Sequence, residues 1–231
     1  MIFRITPSGH IYTDRLDNCE VLINFIIASG YSEEFCVSTD FSPDYCARLM
    51  KAGFLVMSAL IEENEKKQYI LLPKHHNLRS VLFFEDLHIS KTVKRLLGNY
   101  ELKADKDFNT IVKNCVQKHG DDWLTPPLLE VISKIRENSN SLVRPFSFAL
   151  YREGKLKAGE FGIIAGNVYT SYSGYYDEDS AGRVQMILAA QYLRDNGFSF
   201  WDLGMPLEYK YSLGVRDLDT KKFIQKFRQS V

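Results

Sequence analysis

The chain has 231 residues, 45% of them apolar, and its 29 basic residues balance 29 acidic ones. A chain of this size buries a substantial core, about 70% of the surface that it exposes when unfolded. The zero net charge excludes a global field that attracts nucleic acid or a membrane surface, so an anionic partner requires a local basic patch.

Nothing in the cysteine pattern indicates a metal or redox site. Four cysteines are scattered without a CxxC pair: Cys19, Cys36, Cys46 and Cys115. This spacing argues against a disulfide framework and a zinc site.

The first residues, 1–5, lead directly into polar residues rather than a signal peptide, and the longest apolar run is too short for a membrane span. We therefore expect a monomeric cytoplasmic protein that binds neither membrane nor metal.

The first 66 residues are typical of a small N-terminal α/β domain. Ser42-Pro43-Asp44 predicts a helix start with Pro at the first helical position, and apolar residues then recur at helical spacing as far as Gly53. The run Glu62-Glu63-Asn64-Glu65-Lys66-Lys67 is charged and indicates an exposed turn or boundary. We expect a first domain over residues 1–66 and a second over residues 67–231.

The second part alternates strands and helices irregularly. Strands are predicted over residues 69–72 and 80–84, helices over 88–97 and 107–117, a helix opened by Pro126-Pro127, a three-stranded meander over 145–176, a helix over 181–195 closed by Asn196-Gly197, and a strand over 198–203. This order predicts an α+β fold with a mixed sheet rather than a regular βαβ alternation.

Asp202 stands out because it follows Phe200-Trp201 at the end of the last predicted strand. A carboxylate among aromatic rings costs free energy unless it is paired or hydrogen-bonded. Such a residue either accepts structural hydrogen bonds or orients a reacting group, and the local sequence leaves both roles open. Gly204 and Pro206 break the strand directly after it.

Two segments carry local positive charge. Lys91, Lys94 and Arg95 form the first, with Lys74 and Arg79 near them in sequence, and residues 221–228 form the second. Each is either a solvated helix face or a surface that contacts phosphates without reading sequence.

The start of the 181–195 helix offers a further choice. Ser180 is the expected N-cap, and the acids Asp177, Glu178 and Asp179 suit the helix dipole. The same N-terminus could bind a phosphate through its backbone N–H groups, but three acids argue against a strongly anionic ligand there.

Several segments share one family pattern, from about residue 38 onward. They are Asp40-Phe41-Ser42-Pro43 with Gly53-Phe54, Leu87-His88-Ile89-Ser90-Lys91-Thr92-Val93-Lys94-Arg95, Trp123-Leu124-Thr125, the segment from Phe161-Gly162-Ile163 to Ala181, and Phe200-Trp201-Asp202 through Ser212-Leu213-Gly214. Their order resembles the leucyl/phenylalanyl-tRNA–protein transferases, which move an aminoacyl group from tRNA to the N-terminal Arg or Lys of a protein. The most specific match is the second, to L-H-I-S-[KR]-x-x-[KR]-R.

The resemblance implies a small N-terminal domain followed by an acetyltransferase-like (GNAT) domain. It also implies that aminoacyl-tRNA is the activated donor, so that no metal or organic cofactor is required, and that transfer marks the acceptor protein for degradation. The residues placed on this basis are Asp202 as a catalytic group, Trp123, Tyr172, Ser173, Tyr175 and Gly204 in an aminoacyl-adenosine pocket, and Arg79, His88, Ser90, Lys91, Lys94 and Arg95 as tRNA contacts.

The chain departs from the family at positions that matter for chemistry. Gly204 replaces the family Gln that the strand Asp orients, Tyr172 replaces a Glu that holds the aminoacyl adenosine, and the His before Ser212-Leu213-Gly214 is absent. Glu208 is therefore the candidate for a displaced base.

A shorter second resemblance falls where the first one fails. Tyr175-Tyr176-Asp177-Glu178-Asp179 and Leu203-Gly204 with Tyr209-Lys210 resemble elements of the arginyl- and leucyl-transferases that act on N-terminal Asp or Glu. The competing hypotheses are an acyl-CoA-dependent N-acyltransferase and an inactive relative that still binds tRNA or a peptide.

Overall fold

The computed structural model describes residues 3–63 and 65–231. Three residues lie outside the described residues. They are Met1 and Ile2, in the segment where no signal peptide is expected, and Asn64, in the charged run. The chain forms two compact units. The first comprises Met1–Asn77, Gly120–Arg144 and Asp219–Gln229; the second comprises Leu78–His119, Pro145–Leu218 and Ser230–Val231.

The elements are as follows in chain order. The strands are β1 Arg4–Ile5, β2 Ile11–Tyr12, β3 Leu55–Glu63, β4 Lys66–Lys74, β5 Leu78–Leu82, β6 Glu101–Ala104, β7 Arg144–Arg152, β8 Lys155–Ala165, β9 Val168–Tyr176, β10 Phe200–Asp202 and β11 Arg216–Asp219. The helices are α1 Cys19–Ser29, α2 Pro43–Lys51, α3 Lys91–Leu96, α4 Phe108–His119, α5 Pro126–Glu137, α6 Ala181–Asp195, α7 Glu208–Tyr211 and α8 Thr220–Arg228. Short 3₁₀ turns occupy Phe84–Asp86 and Leu97–Asn99.

The first unit is assembled from three separate stretches of chain. The long hairpin β3–β4 pairs from Leu55↔Lys74 to Glu63↔Lys66, so the expected boundary after residue 66 falls at the start of its second strand. Ser58 on β3 donates its N–H to the Trp123 carbonyl over 3.0 Å. Gly53 is packed so closely against α8 that a Cβ there would lie 2.7 Å from Ile224 Cδ1. Residues 120–144 and 219–229 therefore return to the first unit instead of joining the second.

The second unit is built around a mixed sheet, as the sequence predicts. In the described residues the sheet has seven strands in the order β11-β5-β10-β9-β8-β7-β6. β10 runs parallel to β9 and antiparallel to β5, while β8 and β9 form an antiparallel pair. Large aromatic side chains fill the core, including Trp201, Tyr169 and Phe148. The expected α+β class with a mixed sheet flanked by helices is confirmed.

The helix boundaries show how well local signals work. α6 spans Ala181–Asp195, as predicted. Ser180 takes its N-cap position, but with φ 68° and no side-chain cap bond, so the expected capping by the hydroxyl does not occur. The helix expected from His88 begins only at Lys91, because Ser90 caps it by accepting a bond from the Val93 N–H.

No helix among residues 3–63 and 65–231 is long and apolar enough to cross a membrane. Within the same residues, no group of three or more His, Cys, Asp and Glu side chains is arranged to hold a metal ion.

Candidate active site

Asp202 lies at the end of β10 and is fully buried in an ion pair with Arg79 of β5. Its Oδ1 accepts from Arg79 Nε at 3.1 Å and from the Gly204 N–H at 3.0 Å. Its Oδ2 accepts from Arg79 Nη2 and from Thr170 Oγ1, the latter at 3.0 Å. Four donors from β5, β9 and the following loop therefore satisfy this carboxylate, which meets the requirement for burying a charge.

This geometry changes two expected roles. Arg79 is 1% exposed, so the expected phosphate contact is replaced by the ion pair with Asp202. Asp202 itself has no exposed surface and does not present an oxygen to an incoming amine. Its hydrogen bonds instead hold the end of β10 and the backbone at Gly204.

After Asp202 the chain stays hydrogen-bonded to β5, whereas its pairing with β9 ends at Asp202. The Leu203 N–H donates to the Ser80 carbonyl at 2.8 Å, and the Ser80 N–H donates to the Gly204 carbonyl at 2.7 Å. Gly204 has φ 75°, a conformation that favours glycine. A Gln at this position would be strained by the positive φ. Gly204 therefore suits the backbone conformation here and contributes no side chain to the pocket.

Lys210 of α7 holds the rest of this loop from inside. Its buried ammonium donates to the carbonyls of Leu203 at 2.6 Å and Met205 at 2.7 Å. Burial lowers its pKa to about 8, against the opposing effect of the Asp202 and Glu160 carboxylates. The neighbouring Glu208 is exposed, so its carboxylate remains accessible to a substrate. The sequence noted Lys210 only within a short motif and gave no signal of its burial.

A second buried acid, Glu160 of β8, was missed by the sequence analysis. Ser171 Oγ donates to its Oε1, and Gln185 Nε2 donates to its Oε2 at 3.3 Å. Trp201 Nε1 in turn donates to Ser171 Oγ at 2.7 Å. Burial raises the pKa of Glu160 to about 7, although its hydrogen bonds act in the opposite direction.

The residues expected to line the aminoacyl-adenosine pocket differ in how far they are buried. Tyr172 and Ser173 on β9 are half-buried, and the Tyr172 ring lies 6.1 Å from that of Phe161. Tyr175 is only 4% exposed, so it offers almost no surface to a ligand, and its expected place in the pocket lining is corrected. Trp123 is half-buried in the first unit.

The cationic segment, residues 88–95, lies at the surface of the second unit. The side chains of His88, Ser90, Lys91, Lys94 and Arg95 are all exposed. The His88 N–H donates to the Leu213 carbonyl at 2.9 Å. The segment is thereby joined to the far end of the loop that begins at Asp202.

Gly214, directly after Leu213, allows the backbone to lie very close to Asp86. Its φ is 92°, and a Cβ there would lie 2.0 Å from the Asp86 carbonyl oxygen. Asp86 also pairs with Arg216. The Ser212-Leu213-Gly214 element thus owes its glycine to a backbone approach that no side chain permits.

An acidic cavity of about 380 Å³ lies before α6. It is lined by Lys118, Tyr176, Asp177, Glu178 and Asp179. The Glu178 carboxylate is held by Tyr100, by Arg152 at 2.8 Å and by Lys157 at 3.2 Å, and these contacts lower its pKa to about 2. Arg152 and Lys157 are therefore engaged by Glu178, which leaves Asp177 and Asp179 beside Lys118 in the lining.

Comparison with known proteins agrees with the family resemblance. Residues 81–228 match the family model described as leucyl/phenylalanyl-tRNA protein transferase. The leucyl/phenylalanyl-tRNA–protein transferase of Pseudomonas entomophila is 27% identical over 150 residues, which cover 63% of this chain and 65% of that protein. The one from Maridesulfovibrio salexigens is 28% identical over 153 residues, covering 63% of this chain and 62% of its own length. The chain thus matches slightly less than two thirds of these relatives.

Because the family model covers more than half of the chain, including Asp202 and the cationic segment, the chain belongs to the leucyl/phenylalanyl-tRNA protein transferase family.

Similar solved structures are more distant. FemX has a TM-score of 0.48 and 10% identity, with 94% of this chain and 81% of that chain covered. A GCN5-related N-acetyltransferase from Anabaena variabilis has a TM-score of 0.42 and 9% identity, with 86% and 46% covered. At these scores the structures say nothing about the site.

Proposed function

We propose that the protein transfers an aminoacyl group, Leu, Phe or a related residue, from a charged tRNA to the N-terminal α-amine of a protein. Membership of the family supports this function. The structural observation that carries it is the hydrogen bond from His88 to Leu213, which joins the exposed cationic segment to the loop that Asp202 holds. A tRNA bound on that segment would thus lie beside the loop where the reaction is proposed to occur.

The proposed reaction needs little covalent help from the protein. The α-amine attacks the ester carbonyl carbon, a C–N bond forms, the ester C–O bond breaks, and the amine proton finally resides on the tRNA ribose hydroxyl. Correct positioning of two reactants supplies up to about 7–11 kcal/mol, whereas one proton-transfer group is typically worth about 10²–10⁴-fold in rate.

Each part of the site has a proposed role in this scheme. Asp202, Arg79 and Lys210 fix the loop after β10, and the exposed Glu208 carboxylate accepts the amine proton. Tyr172 and Ser173 line the aminoacyl-adenosine pocket. As in the family, transfer would mark the acceptor protein for degradation. The enzyme itself would be monomeric and cytoplasmic.

The acidic cavity before α6 weighs against the acyl-CoA alternative. A CoA-dependent enzyme requires a site for a pyrophosphate at this helix start, and backbone N–H groups at a helix N-terminus suit such an anion. Here Asp177, Glu178 and Asp179 line the cavity against one lysine, Lys118. Since Arg152 and Lys157 are already paired with Glu178, and Asp177 and Asp179 lie beside Lys118, this lining disfavours a pyrophosphate.

We expect replacement of Lys91, Lys94 and Arg95 by Ala to weaken tRNA binding through lost phosphate contacts. Three fewer phosphate contacts should reduce the slope of log affinity against log salt by about 2–3. Filter binding of tRNA between low and moderate salt measures the slope. Lys155→Ala, at the exposed first residue of β8, is the control and should leave the slope unchanged. An unchanged slope in the triple variant would place the tRNA elsewhere.

Transfer itself can be tested with radiolabelled Leu-tRNA and Phe-tRNA and peptides that begin with Arg, Lys, Asp or Glu. Wild type should label at least one peptide, and Asp202→Asn should lower kcat about 100-fold because the loop loses its fixed position.

Glu208→Gln should lower kcat by about 100-fold or more without affecting unfolding. Glu85→Gln, at another exposed acid, is the control and should leave kcat unchanged. A wild-type protein that binds tRNA but labels no peptide would be an inactive relative, and label from acetyl-CoA would support the acyl-CoA alternative.

A further inference from the structure

Glu160 is a buried acid for which the proposed reaction has no role. Its side chain is 5% exposed, and its neighbours supply hydrogen bonds from two directions, Ser171 of β9 and Gln185 of α6. Burying an acid of this kind is costly unless its partners are in place. A side chain retained at that cost calls for an explanation.

The location of the Glu160 contacts provides one. Pairing between β9 and β10 ends at Thr170↔Asp202, and Ser171 is the next residue of β9. Trp201, directly before Asp202, donates to Ser171, and Ser171 donates to Glu160. A chain of side-chain hydrogen bonds thus runs from β10 through β9 to β8 at the point where the pairing of β10 with β9 ends.

The direction of these bonds depends on the charge of Glu160. The Ser171 hydroxyl has one hydrogen, and since its oxygen receives the Trp201 N–H, that hydrogen is available for Glu160. A hydrogen bond to a carboxylate is stronger than one to a neutral carboxyl. The ionised form of Glu160 therefore ties Trp201 to β9 more firmly than the protonated form does.

Other groups around Glu160 influence its ionisation. Tyr169 of β9 faces the same carboxyl, and Lys210 of α7 favours the ionised form. Tyr209 and Cys115 also interact with it electrostatically. Burial is the largest effect on Glu160, and its pKa of about 7 places its titration in the range where the protein would work.

We propose that Glu160 is a positioning residue for aminoacyl transfer, which holds the Asp202 end of β10 against β9 through Ser171 and Trp201. This inference rests on the proposed function. It assigns to Glu160 no contact with either substrate.

The first test is independent of transfer. In a Trp123→Phe background Trp201 is the only tryptophan of the chain, so fluorescence reports on its indole alone. We expect its emission to titrate as the pH crosses about 7, and we expect that titration to disappear when Glu160→Gln is added. An emission that does not respond to pH, or that responds equally in both proteins, would contradict the link between Glu160 and Trp201.

The second test measures transfer from pH 5.5 to 8.5 in wild type, Glu160→Gln and Ser171→Ala. Both variants should lower kcat about 10- to 100-fold, change KM for aminoacyl-tRNA less than twofold, and lose the decline of kcat that wild type shows below about pH 7. The peptide α-amine also titrates, but it is the same for all three proteins, so only the difference reports on Glu160. Thermal unfolding and tRNA binding identify a variant that is merely misfolded.

The outcomes separate the two proposals. If wild type transfers and Glu160→Gln keeps its kcat and its pH profile, the role of Glu160 is wrong and the proposed function stands. If wild type transfers nothing, although Trp201 titrates as expected, the proposed function fails, and the positioning role for transfer fails with it.

Discussion

Arg79→Ala should lower the free energy of unfolding by about 3–5 kcal/mol, the usual cost of removing one partner from a buried ion pair. Arg79 and Asp202 are 1% and 0% exposed, so water cannot replace the guanidinium, and Asp202 would be left buried without its partner. Denaturant unfolding at neutral pH measures the loss.

A second Arg–Asp pair in the same unit provides a matched control. Arg216 pairs with Asp86, but its side chain is 61% exposed, so Arg216→Ala should cost only about 0–1 kcal/mol. Replacing Arg79 and Asp202 together by Met and Leu should cost much less than Arg79→Ala alone, since no charge is left unpaired. Equal losses for Arg79→Ala and Arg216→Ala would mean that the buried pair contributes no more than a surface pair.

Gly214→Ala should lower the free energy of unfolding by about 2–5 kcal/mol, from two separate causes. The positive φ costs an alanine about 1–2 kcal/mol, and crowding in a packed region costs about 1–3 kcal/mol more. The crowding arises because the new Cβ would lie 2.0 Å from the Asp86 carbonyl oxygen. Denaturant unfolding again gives the value, and tRNA binding should weaken because the His88–Leu213 junction is displaced.

Gly197→Ala isolates the effect of the close approach. Gly197 belongs to the same unit and has φ 77°, but no atom lies within 4 Å of a Cβ built there. It should therefore show only the φ cost of about 1–2 kcal/mol. If both variants lose the same stability, the contact between Gly214 and Asp86 is not a constraint on this part of the fold.

Local sequence signals predicted elements whose boundaries are set locally. Pro43 at the first position of α2 and Asn196-Gly197 after α6 are such signals, and both helices occur as expected. The meander also formed as predicted, because Gly154 and Gly166, both with positive φ, mark its turns. Short strands such as β6 and β11 were not predicted, since four residues carry too little pattern.

Long-range pairing explains what the sequence left open at the site. The sequence showed that Asp202 needed a partner, but Arg79 is 123 residues away, and no local pattern connects them. Resemblance to the family instead assigned Arg79 to the tRNA. Glu160 was missed for a related reason: one acid within a strand resembles a solvated residue until Ser171 and Gln185 are known to surround it.

The discontinuous first unit has a consequence for the order in which the protein can fold during synthesis. Domains generally fold as units as they emerge, with the N-terminal one first. Here α8, with Ile224 packed on Gly53, follows the whole sheet of the second unit in the chain. The first unit therefore reaches its complete core only after β5–β10 have been synthesised, so the ribosome delivers the beginning of this unit long before its final helix.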